Sequence, residues 1–437
     1  MPRARPQPAR KRETGVISKA RWIWRQLSRK LWVTSVVYAL AALATAGAAS
    51  WIGPMLPEGI VYGIGTDAVE AVLTIIASSM LTVTTFAFGT MLGAFNAAAT
   101  NITPRATNLL QHDRTTQKVL STFLGSFIFS LVSVIGLKAG AYGPNGKFVL
   151  FVVTLALVAL IVIGMLRWIA HLTAYGRRDD THDRVEQAVA GALRARTDEP
   201  WLGAHPMTGP APFDARAVMA DRIGYVRHVD LAALQAVAEA AGCAIWVAAL
   251  PGSFVHPGAP LLWIGTPASE AEGATCLDAF DIGATRSFDQ DPRFGLSVLT
   301  EIAERALSPA VNDPGSAIDI LGRAVRLLAI CTETRSPEVR YNRLWVPPLT
   351  VAEMMEDVFP PIARDGASIF AVQIRLQKAL LALCEIDAAL FGRAASEQAR
   401  AALTRAEPQM LPDELARLRD VAGRIEALSG NRRPPGI

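Results

Sequence analysis

Cysteine is scarce in this chain. Its four cysteines are far apart, all lie in the second half of the sequence, and none belongs to a CxxC pair. They are Cys243, Cys276, Cys331 and Cys384. This spacing excludes a disulfide-rich scaffold and disfavours a thiolate metal site, because structural zinc sites use closely spaced cysteine pairs. We therefore predict free thiols, a reducing compartment and no bound metal.

Sequence motifs for common catalytic chemistry are absent as well. The chain has no GxxxxGK[ST] phosphate loop, no GxGxxG, no HExxH and no GxSxG. We also find no internal repeat. The sequence therefore predicts no cofactor, and it favours a non-enzymatic role over an enzyme.

Charge is sparse and unevenly distributed. Charged residues make up 19% of the chain and hydrophobic residues 51%, and the mean hydropathy is +0.28. That balance predicts a membrane part plus a soluble part. Residues 1–30 carry a net charge of +9, which leaves −5 for the rest. A basic arm beside a membrane segment suits an anionic lipid surface, so we predict the lipid bilayer, and no nucleic acid, as a partner.

One long segment, residues 66–98, organises the predicted membrane part. It has no charged residue after Glu70, and it is longer than the roughly 20 apolar residues that span a bilayer. Small and polar residues recur along it at helical spacing and form one stripe. The stripe consists of Ser78, Thr82, Thr85, Gly89, Gly93, Asn96 and Thr100.

Two interpretations of this stripe are open. Gly89 and Gly93 form a GxxxG pattern, which lets helix backbones approach closely in a packing seam. Alternatively, the hydroxyl and amide groups line a wetted pathway at the centre of an oligomer. Hydroxyl groups alone do not establish a pathway, because serine and threonine also bond to their own helix. Both interpretations predict a homo-oligomer and make this helix the most protein-facing of the membrane helices.

Three further apolar runs, near 31–52, 118–140 and 147–172, complete a predicted domain of four transmembrane helices. Lysine and arginine collect before the first helix, between the second and third, and after the fourth. Under the positive-inside rule, both termini then lie in the cytoplasm. Lys138 and Lys147 oppose this rule on the outer side, but long side chains at helix ends reach the interface easily.

The predicted fold is an α-helical membrane domain followed by a cytoplasmic α/β domain with a helical C-terminal part. The segments are a basic cytoplasmic arm with an interfacial helix (1–30), the four-helix transmembrane domain (31–174), a connecting helix and linker (175–215), a small α/β part (216–293), a helical part (294–430) and a tail (431–437). In the α/β part, Asp230 and Gly242 occupy the N-cap and C′ positions of a helix over DLAALQAVAEAA.

Two polar loops flank one predicted amphipathic helix of the cytoplasmic domain. The first spans residues 285–295 and the second spans residues 306–317. Their candidate site residues are Arg286, Asp289, Gln290, Asp291, Arg293, Ser308, Asn312 and Asp313. Either these groups form a polar pocket that holds a small anion or another ion, or they form a salt-bridged, capped helix junction.

The two loops begin at opposite ends of the intervening helix, which is about 20 Å long at about 1.5 Å per residue. They share a pocket only if the first loop folds back along the helix or a neighbouring subunit contributes its own loop. In that arrangement Arg286 and Arg293 face Asp313 or a bound anion.

Several stretches together resemble a known family. They are ITPR (102–105), HDRTTQ (112–117), IGYVRHVD (223–230), GSFVHPGAPL (252–261), TRSFDQDPRFG (285–295) and ALSPAVNDPGSA (306–317). This combination resembles the bacterial predicted membrane proteins of the domain of unknown function 2254, over about residues 25–430. Thr103 and Ser287 depart from the pattern expected of the family. The resemblance implies a bacterial inner-membrane location and brings no established activity with it.

These observations favour a channel-like or transport-related membrane protein that is tuned by its cytoplasmic domain. One alternative is a membrane-anchored enzyme or ligand sensor that uses the two loops. Another is a membrane scaffold with no small-molecule role. A channel needs the stripe to be wetted, whereas an enzyme or sensor needs the loops to converge.

Overall fold

The computed structural model describes residues 31–52, 66–101, 103–106, 114–172, 178–333 and 338–430. The predicted arm with its interfacial helix (1–30) and the predicted tail (431–437) lie outside these residues. The described chain forms two compact units. Residues 31–187 and 298–320 belong to the first, here called the membrane unit, and residues 188–297 and 321–430 belong to the second, here called the α/β unit.

The first helices follow the predicted apolar runs closely. Their bounds are α1 Leu31–Ile52, α2 Thr66–Asn101, α3 Arg114–Lys138, α4 Pro144–Leu172 and α5 Arg178–Asp198. Among the described residues, three stretches are long and apolar enough to cross a membrane, namely Ala68–Gly93, Thr116–Lys138 and Asn145–Ala170. In α1 the apolar stretch is shorter, Ser35–Ala48. Three of the four predicted spans are thus found by length and composition, and the span in α1 stays a prediction.

The third helix, α3, is the one that its neighbours enclose most. Half of its most apolar stretch is buried, against 22% for α2 and 17% for α4. It packs against α1, α2 and α4. A small residue permits this close approach, because the Cβ that Gly125 lacks would lie 3.4 Å from Cβ of Tyr38. Within one chain α2 is therefore less enclosed than α3, and the prediction that α2 is the most protein-facing membrane helix of an oligomer stays a prediction.

Polar contacts join the helices of the membrane unit near their ends. The Tyr142 hydroxyl donates a hydrogen bond to the Ala46 carbonyl oxygen at 3.2 Å. Nζ of Lys138 lies 2.9 Å from Oε1 of Glu70. The second contact ties the end of α3 to the first turns of α2.

The α/β unit contains two sheets. Their strands are β1 His205–Pro206, β2 Arg216–Met219, β3 Gly224–Val229, β4 Ile245–Val247, β5 Phe254–Val255, β6 Pro260–Ile264, β7 Phe280–Gly283 and β8 Leu344–Val346. A five-stranded sheet has the order β1-β8-β4-β6-β2, and a three-stranded sheet has the order β5-β3-β7. In the larger sheet β8 pairs in parallel with β1 and β4, while β6 pairs antiparallel with β4 and β2.

Two helices accompany these strands, α6 Leu231–Ala241 and α7 Glu270–Leu277. They share an apolar core with the larger sheet, in which Leu234, Ile245 and Leu344 have no exposed surface. As predicted, Asp230 caps α6, because its side chain accepts a hydrogen bond from the Ala233 amide. Gly242 ends the same helix in the left-handed conformation, also as predicted.

Helices dominate the remainder of the chain. They are α8 Pro292–Leu307, α9 Pro314–Ala329, α10 Val351–Asp365, α11 Phe370–Ile386, α12 Ala388–Ala406 and α13 Pro412–Gly430. The last four pack together as a bundle. The helices α5, α8 and α9 each contribute residues to both units. The observed order, apolar helices followed by a small α/β part and a helical part, is the predicted one.

Candidate functional site

The stripe on α2 lies on the face that the described part of the chain does not cover. Six of its residues have a described exposure, and all six are exposed: Ser78, Thr82, Thr85, Gly89, Gly93 and Asn96. Thr100 belongs to α2, but its side chain is outside the described residues. The buried residues of α2 are Val69, Leu73, Ile76, Met80 and Ala87. At about 100° per residue, these two sets lie on opposite sides of the helix.

The hydroxyl groups of the stripe bond to their own helix. Ser78 donates to the Thr74 carbonyl oxygen at 3.0 Å, and Thr82 donates to the Ser78 carbonyl oxygen at 3.2 Å. Thr85 does the same one turn further on. This local bonding satisfies the hydroxyl protons without water, so the two interpretations of the stripe are both still available.

The two glycines of the stripe leave open space beside α2. A Cβ added at Gly89 or at Gly93 would meet no described atom within 4 Å. At Gly125 of α3, by contrast, the Tyr38 backbone and side chain lie at contact distance. The space at the GxxxG pattern is therefore available to another molecule rather than filled by the described chain.

The first polar loop is built on an ion pair. Nε and Nη2 of Arg286 donate hydrogen bonds to the two carboxylate oxygens of Asp291, at 2.7 and 2.9 Å. The same carboxylate accepts from the Phe294 amide at 3.0 Å, so Asp291 also caps α8. Asp291 is buried, and burial raises the pKa of its carboxyl although the hydrogen bonds and charge of Arg286 lower it.

Two contacts fix this loop to the sheets. Oε1 of Gln290 accepts a hydrogen bond from the Val229 amide at 3.2 Å. Gly252 lies against the ion pair, with φ at +99°. Only glycine adopts this conformation readily and leaves room for the Asp291 carboxylate.

The remaining charged groups of the loop have partners in the α/β unit. Arg293 donates to both carboxylate oxygens of Asp357, at 2.7 and 3.1 Å, and to Glu353 at 3.1 Å. The hydrogen bonds to Asp357 raise the pKa of the Arg293 guanidinium, although burial lowers it, and the charge of Asp357 raises it further. Asp289 accepts a hydrogen bond from the Ser287 hydroxyl at 3.1 Å. The loop is thus a salt-bridged helix start.

The second polar loop closes one helix and starts the next. Oδ1 and Oδ2 of Asp313 accept hydrogen bonds from the Ser316 amide and hydroxyl, at 3.2 and 2.8 Å, so Asp313 caps α9. The Ser308 hydroxyl donates to the Arg305 carbonyl oxygen at 2.7 Å. Asn312 has a φ of +48°, which asparagine tolerates better than most residues.

The arginines of the first loop pair with acids of the α/β unit, so an arginine–aspartate pair with the second loop stays a prediction. Arg286 is bound to Asp291, and Arg293 is bound to Asp357 and Glu353. The 285–295 loop belongs to the α/β unit, whereas the 306–317 loop belongs to the membrane unit. In this chain each loop therefore has its own set of partners.

Sequence reasoning missed one charged residue beside the first loop, Arg196 of α5. It is 8% exposed, and within the described part of the chain its Nε donates no hydrogen bond. Burial lowers the pKa of this guanidinium to about 10, although the charge of Asp291 raises it. The sequence held one indication, since Arg196 follows the buried residues Val185, Val189 and Leu193 at helical spacing.

Comparisons with known proteins agree with the resemblance noted above. The sequence model of a family described as "Predicted membrane protein (DUF2254)" matches residues 28–382. Uncharacterized proteins from Mycobacterium bovis and Mycobacterium tuberculosis are 24% identical over 443 residues, which cover 96% of this chain and 84% of each relative. No solved structure matches.

Proposed function

This chain belongs to the DUF2254 family of predicted membrane proteins, and we propose that it is an oligomeric, channel-like or transport-related protein of the bacterial inner membrane. In this proposal α1 is the fourth transmembrane helix, and the α/β unit is cytoplasmic and tunes the membrane unit. The subunits meet through the stripe on α2.

The observation that carries this proposal is the exposure of the stripe. The described chain packs on the opposite face of α2 and leaves Gly89 and Gly93 uncovered. Hydrocarbon chains gain nothing from a small, polar helix face, whereas a second helix packs closely on it. A second copy of the same chain supplies such a helix through rotational symmetry. Copies arranged around an axis would bring the hydroxyl groups of several α2 helices towards a common centre.

The proposed topology rests on the distribution of lysine and arginine. These residues collect before α1, between α2 and α3, and after α4, and the positive-inside rule assigns those ends to the cytoplasm. Lys138 and Lys147 lie on the side assigned to the outside, at helix ends from which long side chains reach the interface. The Lys138 ammonium group has a partner there, since it lies 2.9 Å from the Glu70 carboxylate.

An enzymatic alternative has less support from the cysteines. The nucleophilic form of cysteine is the thiolate. Burial raises the pKa of the thiols of Cys276, Cys331 and Cys384 to about 11. These thiols are therefore protonated at neutral pH and are poor nucleophiles. A membrane scaffold is the remaining alternative, and a conductance measurement separates it from a channel.

Conductance of the purified protein in liposomes tests the proposal. We expect ion flux from the wild-type protein and loss of flux together with a smaller oligomer for Gly93→Leu. Gly47→Leu on α1 is the matched control, because a Cβ at Gly47 also meets no described atom within 4 Å. Absence of flux from a folded wild-type oligomer would favour the scaffold, and an unchanged oligomer in Gly93→Leu would remove the assigned subunit contact.

A further inference from the structure

We infer that Arg196 is the centre of a binding site for a small carboxylate or phosphate anion in the α/β unit, beside the start of α8. Arg196 is not among the candidate site residues that the sequence predicts. The inference does not require the membrane unit to conduct ions. It concerns α5 and α8 where both belong to the α/β unit.

Helix packing brings Arg196 to the start of α8. A Cβ added at Gly295 would lie 2.3 Å from Cγ2 of Val189, so α5 and α8 are in contact at that point. Arg196 follows Val189 by seven residues and therefore lies about two turns along the same face of α5. Asp291 precedes Gly295 by about one turn. The charge of Asp291 acts on Arg196, which agrees with this placement.

Asp291, the acid whose charge acts on Arg196, already has other hydrogen-bonding partners. Both oxygens of Asp291 accept hydrogen bonds from Arg286, and one also accepts from the Phe294 amide. Within the described chain, no carboxylate forms an ion pair with Arg196. Two guanidinium groups and the positive end of a helix therefore surround a single carboxylate. The cluster has an excess of positive charge.

A buried cation without a counter-ion is energetically unfavourable, since burial removes most of its hydration, and Nε of Arg196 has no hydrogen-bonding partner among the described residues. Arg196 does not escape this cost by losing its proton, because a pKa of about 10 leaves the guanidinium charged at neutral pH. An external anion is the partner that completes the cluster. The planar guanidinium offers parallel N–H donors that match the two oxygens of a carboxylate or phosphate.

The burial of Arg196 limits the size of the ligand. Only 8% of Arg196 is exposed, so little room is available for a large molecule at the charged group. Asp291 adds a negative charge close by and disfavours a highly charged ligand. These features fit a small anionic group, either free in solution or at the end of a larger molecule.

Thermal unfolding of the full chain in detergent tests this site, with inorganic phosphate and acetate as probes and chloride added to keep the ionic strength constant. We expect phosphate or acetate to raise the Tm of the wild-type protein by about 3 °C or more at saturating concentration. Arg196→Met should abolish that rise. It should also leave the protein at least as stable as wild type without either probe, because it removes an unpaired buried charge.

The matched control is Arg194→Met, since Arg194 lies on the exposed side of the same helix. It should retain the full rise in Tm. Arg196→Lys keeps the charge but loses the planar fork, so we expect a reduced rise, and this variant tests the site if Arg196→Met does not fold. The inference would be overturned if neither phosphate nor acetate raised the Tm of the wild-type protein. It would also be overturned if the rise in Tm were the same in wild type and in the Arg196 variants. Neither result depends on ion flux, so failure here is distinguishable from failure of the proposed function.

Discussion

Gly252 lies so close to Asp291 that the Cβ of any other residue would stand 2.4 Å from the carboxylate oxygen Oδ2. The φ of Gly252, +99°, is also one that L-residues rarely adopt. The turn before β5 therefore contacts the Arg286–Asp291 pair only because residue 252 has no side chain.

Replacement of Gly252 by alanine should destabilise the α/β unit by about 3 kcal/mol, since backbone strain and overpacking each cost about 1–3 kcal/mol. Urea unfolding of the full chain measures the loss. Gly209→Ala is the control, because a Cβ at Gly209 meets no described atom within 4 Å. Equal stability of the two variants would contradict the described contact.

Charge reversal tests whether the two polar loops communicate between subunits. Arg286→Asp should cost about 3–5 kcal/mol because it leaves the buried Asp291 carboxylate without its ion-pair partner, and Asp313→Arg should cost about 1 kcal/mol because it removes a helix cap. Each residue has its own partner in this chain, so we expect the losses to add within about 0.5 kcal/mol in the double variant. Recovery in the double variant would instead indicate an Arg286–Asp313 pair between neighbouring copies.

The buried thiols should react slowly in the folded protein. All four cysteines are free, and burial raises the pKa of Cys276, Cys331 and Cys384 from 9.0 to about 11. A disulfide reagent at pH 8 should label the native protein much more slowly than the urea-unfolded protein. The thiols of the unfolded protein ionise at a lower pH than those of the native protein. The free energy of unfolding should therefore fall as the pH rises above 9. Fast native labelling of Cys276 or Cys384, which are buried, would contradict the described structure.

The sequence predicted features that depend on neighbouring residues. The apolar runs located α1 to α4, and the Asp230 and Gly242 caps of α6 were predicted because capping involves only the adjacent turn. The strand β8 was not predicted. It has three residues, and it pairs in parallel with β1 and β4, which are distant in the sequence.

The candidate site was predictable only in part, for the same reason. The 285–295 loop was recognised by its density of charge, but Arg293 binds Asp357, which lies 64 residues further along the chain. Arg196 was not predicted, because helical spacing places it on the same face as Val189 but does not show that this face packs against α8 and buries a charge. Enclosure of α3 rather than α2 likewise depends on contacts between helices.

The proposed topology has a direct test. A reporter that is active only in the cytoplasm should function when fused after residue 437, and a reporter that is active only outside should function when inserted at residue 58. The expectation rests on the lysines and arginines before α1 and after α4. Outside activity of a fusion at the C-terminus would contradict it.

Cross-linking between copies tests the assigned subunit contact most directly. Thr85→Cys places a thiol in the exposed stripe of α2, and Leu155→Cys places one on the exposed surface of α4 as a matched control. Both variants are oxidised in membranes, beside the wild-type protein, whose own cysteines are largely buried. We predict rapid formation of disulfide-linked dimers for Thr85→Cys only, and loss of that product when Gly93→Leu is added. No cross-linking of Thr85→Cys, or equal cross-linking of both positions, would contradict an interface through the stripe.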